Sequence, residues 1–279
     1  MTEQLILADM PARLFACTPS RLAAFDCPRR YRFTYVDRPP PPKGAPWAHS
    51  MLGATAHVAL AQWWSLPRPH RTPGHGADLV HDNWQNVGFR DDTQSARAAE
   101  LTAHWVERYL GHRVDPWRDP VGVERTVATR TERLAIAGRA DRIDRRGDEL
   151  VIVDYKTGRR PPTVDDARGS QALALYALAA RRTLRRACRR VELHHLPTGR
   201  VAAAEHTEES LRRHLDRAEA TATDIQAATD TVGAGADPDE VFRPVPSPAC
   251  SWCDFRRHCP EGRAASPDRP SWAGLPDEV

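Results

Sequence analysis

Lysine and long apolar runs are the scarcest features of this sequence. It contains 38 arginines but only two lysines, Lys43 and Lys156. Its longest uninterrupted apolar run, 172–180, is far shorter than the ~20 residues that a membrane-spanning helix needs. The start, MTEQLILADM, has no basic region and no cleavage-like site after an apolar stretch, so we expect no signal peptide. We therefore expect a soluble, cytoplasmic protein with no membrane partner.

A large excess of charge of one sign is also missing. The 279 residues are 41% hydrophobic and carry a formal net charge of +3, which suits one large domain or two small ones. The net charge alone does not indicate a nucleic-acid partner. Basic residues are nevertheless dense at 29–32 and between Arg181 and Arg190, which holds six arginines. Each run fits a solvated helix face as well as a phosphate-binding patch.

The apolar pattern predicts an α/β fold. Helical spacing marks five segments: 19–35, 51–64, about 78–111, 170–187 and 207–228. Strand patterns mark five others: 121–130, 133–144, 149–155, 191–196 and 201–206. We predict a single domain, 1–279, built from five parts: an N-terminal helical segment (19–64), a helical insertion (65–120), an α/β core (121–206), a C-terminal helix with a cysteine cluster (207–260) and a flexible tail (261–279).

Two acidic residues are predicted to face each other across a hairpin of the α/β core. With residues 145–148 as the turn, Asp144 pairs with Glu149 and Asp141 faces Ile152. Because side chains alternate along a strand, Asp154 shares the face of Ile152 and therefore of Asp141. The two carboxylates become diagonal neighbours, roughly 7–8 Å apart at the backbone.

These residue types suit phosphodiester hydrolysis. Asp141 and Asp154 can converge on one Mg²⁺, which takes few carboxylates and would polarise a phosphoryl oxygen and activate water. Lys156 beside them can orient that water or offset charge that builds on the phosphate. Asp-X-Lys tripeptides are common, however, and taken alone the pattern fits ordinary ion pairs better, for Asp141 with Arg139 or Arg142.

Half of the six cysteines are crowded into PACSWCDFRRHCP, which contributes Cys250, Cys253 and Cys259. A disulfide framework is the weaker interpretation because the chain is large and lacks an export signal. A closed metal site needs four ligands, so a fourth cysteine must come from elsewhere. Cysteine-only ligation permits either a [4Fe–4S] cluster or Zn²⁺, and the spacing does not decide between them.

Several motifs together resemble one family. GRADRID at 138–144, followed by a hairpin and by VIVDYKTG at 151–158, resembles the core of PD-(D/E)XK nucleases, specifically the RecB-like exonuclease branch. GATAH at 53–57 resembles its upstream Gly-x-x-x-His helix, and SQALALYALA its Gln-and-Tyr helix. The segment PSRLAAFDCPRRYRFTYV is similar to the N-terminal Cys-Pro segment of iron–sulfur members, such as AddB-type and CRISPR-associated nucleases. The matches extend over 19–260.

The resemblance implies a restriction-endonuclease-like core, in which a central mixed sheet is flanked by helices. Asp141 and Asp154 would bind Mg²⁺ or Mn²⁺, and Lys156 would orient the attacking water. His57 would be a further metal ligand or would position the site. Without the family, a lone histidine on an apolar helix is more often a core residue than a ligand.

Three more residues gain roles only from the resemblance. Gln171 and Tyr176 would contact the DNA backbone or support the site. Their five-residue spacing turns them about 140° apart on a helix, so they cannot point the same way. Glu124 lies where relatives carry an acid ahead of the hairpin, and it would support the metal ligands.

The resemblance also supplies a fourth cysteine ligand. The family pattern places one at Cys27, with Cys17 as the alternative, and it favours [4Fe–4S] over zinc. A site that joins Cys27 to Cys250 closes a loop of more than 200 residues and would connect the N- and C-terminal segments. Cys188 is expected to be an ordinary helical residue.

The resemblance implies a metal-dependent DNA nuclease, an exonuclease on single strands or processed ends, with endonuclease cleavage as a variant. It further suggests DNA repair or recombination, ahead of CRISPR adaptation. The sequence has no GxxxxGK[ST] P-loop, so unwinding would need a helicase partner. Two alternatives are a non-catalytic iron–sulfur DNA-binding protein and a zinc-stapled interaction scaffold.

Overall fold

A computed structural model describes residues 14–276. The N-terminal segment that bears on the signal-peptide expectation, residues 1–13, and the last three residues of the predicted tail lie outside the described residues. Six strands form one sheet: β1 (Phe15–Cys17), β2 (Gly122–Arg130), β3 (Leu134–Arg146), β4 (Glu149–Lys156), β5 (Cys188–His195) and β6 (Arg200–Glu205). The described residues also form ten α-helices: α1 (Pro19–Ala23), α2 (Pro28–Tyr35), α3 (Ala48–Ser65), α4 (Pro73–Asp82), α5 (Asp92–Arg113), α6 (Val164–Gly169), α7 (Gln171–Leu184), α8 (Glu208–Gly233), α9 (Pro238–Val241) and α10 (Pro260–Ala265). None of the described helices is long and apolar enough to cross a membrane.

The sheet is mixed and has an opening beside its longest strand. Its order is β1-β3-β4-β5-β6, with β2 antiparallel to β3 and β4 parallel to β5. β2 pairs with β3 from Ala135 to Ile143, whereas β1 pairs with Leu134–Ile136 and β4 with Arg142–Arg146. Residues 137–141 of β3 therefore have ladder partners on one edge at most, and the functional residues gather around this opening.

Helices cover both faces of the sheet, because successive side chains of the central strands point to opposite sides. On one face, Val151, Val153 and Tyr155 of β4 pack against α3, α4 and α5. On the other face, Ile152 of β4 packs against α7. A third cluster joins β1, α1, α2 and α8 around the end of β3. The expected α/β fold, with a central mixed sheet flanked by helices, is confirmed.

The helix predicted for 170–187 ends earlier than expected. α7 begins after its N-cap Ser170, as the sequence suggests, but it stops at Leu184 because Arg185 adopts a left-handed conformation with φ of 52°. The chain then enters β5, which starts at Cys188 and lies parallel to β4. The expectation that Cys188 is a helical residue is therefore wrong: it is a fully buried strand residue.

The N-terminal segment predicted as one helix over 19–35 is two helices. α1 ends before a short 3₁₀ turn, and α2 begins at Pro28. A residue that precedes proline is disfavoured in the helical region, and Cys27 is accordingly extended, with φ of −128° and ψ of 103°. The interruption presents Cys27 at the start of α2.

The segment predicted as a flexible tail, 261–279, differs from that prediction in its described part. It starts within α10, and Ser271 is then tied to both neighbouring segments: its carbonyl accepts from the Ala48 amide at 2.9 Å, and its hydroxyl donates to the Gly88 carbonyl at 2.7 Å. Leu275 is buried in the α3–α5 cluster. The proline and serine content suggested fraying, but these long-range contacts hold the segment in place.

Candidate active site

The β3–β4 hairpin brings the two predicted carboxylates together with a tighter turn than expected. The strands pair Arg146 with Glu149, so only Gly147 and Asp148 form the turn, and Gly147 takes the required positive φ of 60°. The predicted pairing of Asp141 with Ile152 is therefore wrong by two residues. Because side chains alternate every second residue, this shift keeps Asp141 and Asp154 on one face and makes them directly opposite in the continued register.

Asp141 lies in the opening, at the point where the β3–β4 ladder stops. Its Oδ2 accepts a hydrogen bond from the backbone N–H of Tyr155 at 2.9 Å. The two arginines considered as alternative partners of Asp141 pair with other acids: Arg139 pairs with Glu124, and Arg142 pairs with Asp144. The carboxylate of Asp141 therefore lies in the opening, paired with neither arginine.

His57 reaches the same place from α3. Its Nδ1 lies 3.4 Å from Asp141 Oδ2, and its Nε2 lies 3.2 Å from the Tyr155 carbonyl oxygen. Gly53, one helical turn earlier, allows α3 to approach, because a Cβ there would lie 3.0 Å from the Thr157 hydroxyl oxygen. The glycine and the histidine of the motif thus serve one purpose, the placement of an imidazole beside Asp141.

Glu124 completes the group and has an unusual backbone. Ligand atoms of His57, Glu124 and Asp141 all lie within 4.8 Å of one another. Glu124 sits in β2 with φ of 46°, a left-handed conformation that costs a non-glycine residue on the order of 1–3 kcal/mol. Such strain is retained where the surroundings impose it, and here it accompanies a carboxylate in the opening. Glu124 also accepts from Arg139 Nε at 2.7 Å.

Lys156 and Asp154 lie at the end of β4. Lys156 Nζ is 2.6 Å from Asp154 Oδ2, and roughly half of the lysine side chain is exposed while Asp154 is largely buried. The ammonium group therefore reaches the solvent side of the acid pair.

Burial and the charge of Asp141 raise the pKa values of two acids in this group. For Asp154, burial is the main cause of a raised pKa, and Asp141 adds to it despite the opposing charge of Lys156. Burial and Asp141 likewise raise the pKa of Glu124. Burial alone would favour neutral His57, but the bond to Asp141 raises its pKa above the ordinary value. The site therefore has a surplus of negative charge that a cation would relieve.

The donor set fits a hard divalent cation. Carboxylate oxygens and one imidazole nitrogen suit Mg²⁺ or Mn²⁺, whereas a set of thiolates would favour softer metals. The residues that could hold the ion are His57, Glu124 and Asp141, with Asp154 facing them on the hairpin. The sequence placed Glu124 behind the ligands, whereas the structure puts its carboxylate among them.

Of the two α7 residues predicted to contact the DNA backbone or to support the site, Tyr176 lies at the site and Gln171 does not. Tyr176 of α7 lines the depression that also contains His57, Glu124 and Asp141. Gly138 accommodates it, because a Cβ at that position would lie 2.5 Å from the Tyr176 ring. Gln171 does not line this depression; its amide donates to the His214 carbonyl at 3.3 Å.

A second polar cluster, which the sequence analysis missed, lies toward the hairpin end of the sheet. Glu192 of β5 is fully buried and accepts from both Arg146 nitrogens at 2.5 and 2.8 Å and from Arg190 at 2.7 Å. His194 Nε2 lies 2.9 Å from the second carboxylate oxygen, and Tyr109 contacts His194 Nδ1 at 2.7 Å. We call these five residues the Glu192 cluster. The sequence clue was VELHHL, an acid and two histidines inside an apolar strand.

Arg142 contacts the Glu192 cluster through Tyr109 and the strand beside the opening through Tyr155. Its guanidinium is almost completely buried and donates to the hydroxyls of Tyr109 and Tyr155 at 3.2 Å, and to Asp144 at 3.0 Å. Tyr155 also supplies the backbone groups that contact Asp141 and His57. The Tyr155 side chain and backbone thus link the buried network to the opening.

The four predicted cluster cysteines surround one small cavity: Cys27, Cys250, Cys253 and Cys259. Cys27 comes from the start of α2 and the other three from the segment before α10. The alternative ligand, Cys17, is buried in the β1 core and does not line this cavity; burial raises its pKa to about 11.

The cysteine cavity has features of a metal–sulfur site. Backbone N–H groups point at two sulfurs, from Ser247 to Cys250 Sγ at 3.4 Å and from Gly262 to Cys259 Sγ at 3.3 Å. Gly262 is close to this cavity, since a Cβ there would be in van der Waals contact with atoms of Cys250 and Cys259, at 3.4–3.6 Å. Hydrogen bonds to sulfur are among the groups by which proteins tune iron–sulfur clusters.

Comparison with known proteins identifies the family. The sequence profile of the PD-(D/E)XK nuclease superfamily matches residues 16–260. The chain is similar to a crystal structure of a candidate exonuclease from Eubacterium rectale, with 13% identity, a TM-score of 0.48 and 92% of each chain covered. The search of curated proteins finds no significant match. Since the profile covers most of the chain, including the hairpin acids and the cysteine segment, the protein belongs to the PD-(D/E)XK nuclease superfamily.

Proposed function

We propose that the chain is a divalent-metal-dependent DNA nuclease, a RecB-like exonuclease that hydrolyses phosphodiester bonds at single-stranded or processed ends. One observation carries the proposal: His57, Glu124 and Asp141 present ligand atoms within 4.8 Å of one another, beside the Asp154–Lys156 pair. A surplus of acid with a lysine on its solvent side suits a metal and a phosphate bound together.

The chain's own residues have separable tasks. A divalent cation held by His57, Glu124, Asp141 and Asp154 would polarise a phosphoryl oxygen and lower the pKa of a bound water. Asp154 holds the Lys156 ammonium 2.6 Å away, where it can donate to the attacking water or to a phosphate oxygen that gains charge. The Tyr155 amide fixes the Asp141 carboxylate at 2.9 Å.

The two lysines of the chain provide the decisive test. Wild type, Lys156→Ala and Lys43→Ala are incubated with end-labelled single- and double-stranded DNA, in Mg²⁺, in Mn²⁺ and in EDTA. Lys43 is exposed and pairs only loosely with Asp254, at 3.6 Å, so its variant controls for loss of a lysine. We expect metal-dependent cutting that Lys156→Ala abolishes and Lys43→Ala retains.

Other outcomes select the alternatives. Cutting that survives Lys156→Ala would contradict the proposed site. Tight DNA binding without cutting, in a preparation that retains its metal, would favour a non-catalytic DNA-binding protein. The lengths and labelled ends of the products would show whether cleavage is exonucleolytic and which end it starts from.

We also propose a [4Fe–4S] cluster at the four cysteines, rather than zinc. The four cysteines come from two distant segments and line one cavity, and backbone N–H groups point at two of their sulfurs. Hydrogen bonds to sulfur are a feature of iron–sulfur sites, and the resemblance of the Cys27 segment to iron–sulfur nucleases favours this cluster over Zn²⁺.

Metal analysis of anaerobically purified protein tests the cluster. We expect iron and acid-labile sulfide with visible absorption, lost in Cys27→Ser and retained in Cys188→Ser, a buried cysteine of β5 away from the cavity. Zinc in a colourless protein would instead support the scaffold alternative. Retention of iron in Cys27→Ser would reject Cys27 as a ligand.

A place in cytoplasmic DNA repair or recombination is part of the same proposal. Since the sequence has no P-loop, a helicase partner would supply unwinding. Stimulation of cutting on blunt duplexes by a cytoplasmic helicase, with no such effect on single strands, would support this partnership.

A further inference from the structure

A groove adjoins the candidate active site but takes no part in the proposed reaction. It is lined by the start of α3, including His49 and Gly53, by Thr157 and Arg159 after β4, and by Trp252 of the cysteine segment. Gly53 also lines the depression that contains His57 and Asp141. The groove is therefore contiguous with the proposed metal site.

The order of the residues places the groove beside Lys156. Thr157, which lines the groove, directly follows Lys156, and its hydroxyl approaches the Gly53 position on α3. A DNA strand that leaves the proposed metal site past Gly53 would therefore enter this groove.

His49, Trp252 and Arg159 line this groove, and Trp47 and Arg269 contact the Trp252 ring. The ring of Trp252 lies 5.3 Å from His49 and 5.2 Å from Trp47, centroid to centroid. The Arg269 guanidinium lies 4.9 Å from the Trp252 ring, and Arg159 is an exposed residue of the groove wall. Rings interleaved with cations are the composition by which proteins bind single-stranded nucleic acid, because unpaired bases stack and phosphates seek positive charge.

We propose that this groove binds unpaired nucleotides of the DNA strand whose scissile phosphate lies at the metal site, with bases against His49 and Trp252 and phosphate near Arg159. The proposal rests on the DNA nuclease function proposed above and names the form of its substrate. Trp252 lies between Cys250 and Cys253, so the cysteine segment forms part of the substrate path as well as joining the two ends of the chain.

A binding measurement that needs no cutting tests the groove. In the Lys156→Ala background, fluorescence anisotropy gives the Kd of labelled dT15 and of a labelled 15-bp blunt duplex. Trp252→Leu removes the stacking ring, Trp252→Phe keeps one, and Trp117→Leu is the control at an exposed tryptophan outside the groove. We expect about 10-fold weaker dT15 binding for Trp252→Leu, with Trp252→Phe and Trp117→Leu near the parent and duplex binding unchanged.

A second pair of variants avoids the cysteine segment altogether. Arg159→Ala should weaken dT15 binding about threefold and lower its salt dependence, whereas Arg182→Ala, at an exposed arginine near the end of α7, should change neither. If Trp252→Leu lowers the thermal midpoint of unfolding, its weaker binding could come from unfolding, and the comparison of Arg159→Ala with Arg182→Ala then tests the groove.

Two results would overturn the groove proposal. One is parental dT15 affinity in both Trp252→Leu and Arg159→Ala. The other is an equal loss in Trp252→Phe and Trp252→Leu, which would make Trp252 a packing residue. Neither result bears on cleavage, which the comparison of Lys156→Ala with Lys43→Ala decides separately, so a failure of the groove proposal can be told from a failure of the proposed function.

Discussion

The central sheet carries two polar clusters, and the pKa values of their acids are shifted in opposite directions. In the opening, burial and the negative charge of Asp141 raise the pKa values of Glu124 and Asp154. In the Glu192 cluster, burial also opposes the charged form, but hydrogen bonds from His194, Arg146 and Arg190 prevail and lower the pKa of Glu192. Both clusters are built on the central strands of the sheet, yet only one satisfies its own charges.

The difference separates a binding site from a structural network. The Glu192 carboxylate accepts three arginine hydrogen bonds and contacts a histidine, so no external ligand is needed. The opening has three carboxylates, including the strained Glu124, and their cationic neighbours are Lys156, His57 and the largely exposed Arg139. An unbalanced acid cluster needs a cation from outside, which is how pKa values can indicate function.

The largest expected effect comes from Asp154→Asn in the opening. If the proposed function holds, this change removes a metal ligand and should lower the metal-dependent cleavage rate on the order of 10³-fold, because several kcal/mol of transition-state stabilisation are lost. Because Asp154 is buried near Asp141, the neutral amide should leave the thermal midpoint unchanged or raise it in metal-free protein. Cleavage time courses and thermal unfolding in EDTA measure both. A lower midpoint in EDTA would show that Asp154 is a structural partner instead.

Glu192→Gln should show the reverse behaviour: a clear loss of stability with little change in the cleavage rate. Removal of one partner from a buried ion pair costs ~3–5 kcal/mol. We expect about 2 kcal/mol here, because the Arg146 and Arg190 side chains are each more than 40% exposed and can return to water. Denaturant unfolding measures this loss. The cleavage rate per folded molecule should stay within about twofold of wild type, and a much larger loss would show that the clusters are not independent.

The pH dependence of stability sharpens the same contrast. The folded state keeps Glu192 ionised below its ordinary pKa of 4.5, whereas the unfolded chain takes up a proton near that value. Its contribution is therefore complete above about pH 4.5 and is lost as the pH falls toward the folded-state pKa. The difference in unfolding free energy between wild type and Glu192→Gln should shrink between pH 5 and 3. A constant difference over that range would contradict the assignment.

The parts of the site that could be predicted are those encoded locally. Asp141, Asp154 and Lys156 lie on one hairpin, so alternation alone put them on one face, and a two-residue error in register did no harm. The roles of His57 and Cys27 were predicted only from the resemblance. These residues are positioned by α3 and α2, and no local sequence pattern shows how those helices pack on the sheet. The α/β class followed from strands flanked by helices, whereas the mixed sheet followed from the resemblance.

What the sequence did not reveal depends on contacts between distant segments. The sequence did not single out Glu192, because its partners include Arg146, on another strand. The sequence predicted a flexible tail because it does not reveal the hydrogen bonds of Ser271 to Ala48 and Gly88, which are more than 180 residues away. Cys188 was taken for a helix residue because the left-handed Arg185 that ends α7 has no sequence marker such as glycine.

The smallest expected effect concerns the arginine-rich segment, where the sequence left a solvated face and a phosphate patch equally open. Arg181 pairs with Glu208 at 2.9 Å, and Arg189 with Glu149 at 3.0 Å. Such surface pairs contribute about 0–1 kcal/mol. Arg181→Ala should therefore lower the unfolding free energy by less than about 1 kcal/mol and leave the dT15 affinity unchanged, in contrast to Arg159→Ala. Weaker binding in Arg181→Ala would make this segment a second phosphate contact and extend the DNA path beyond the opening.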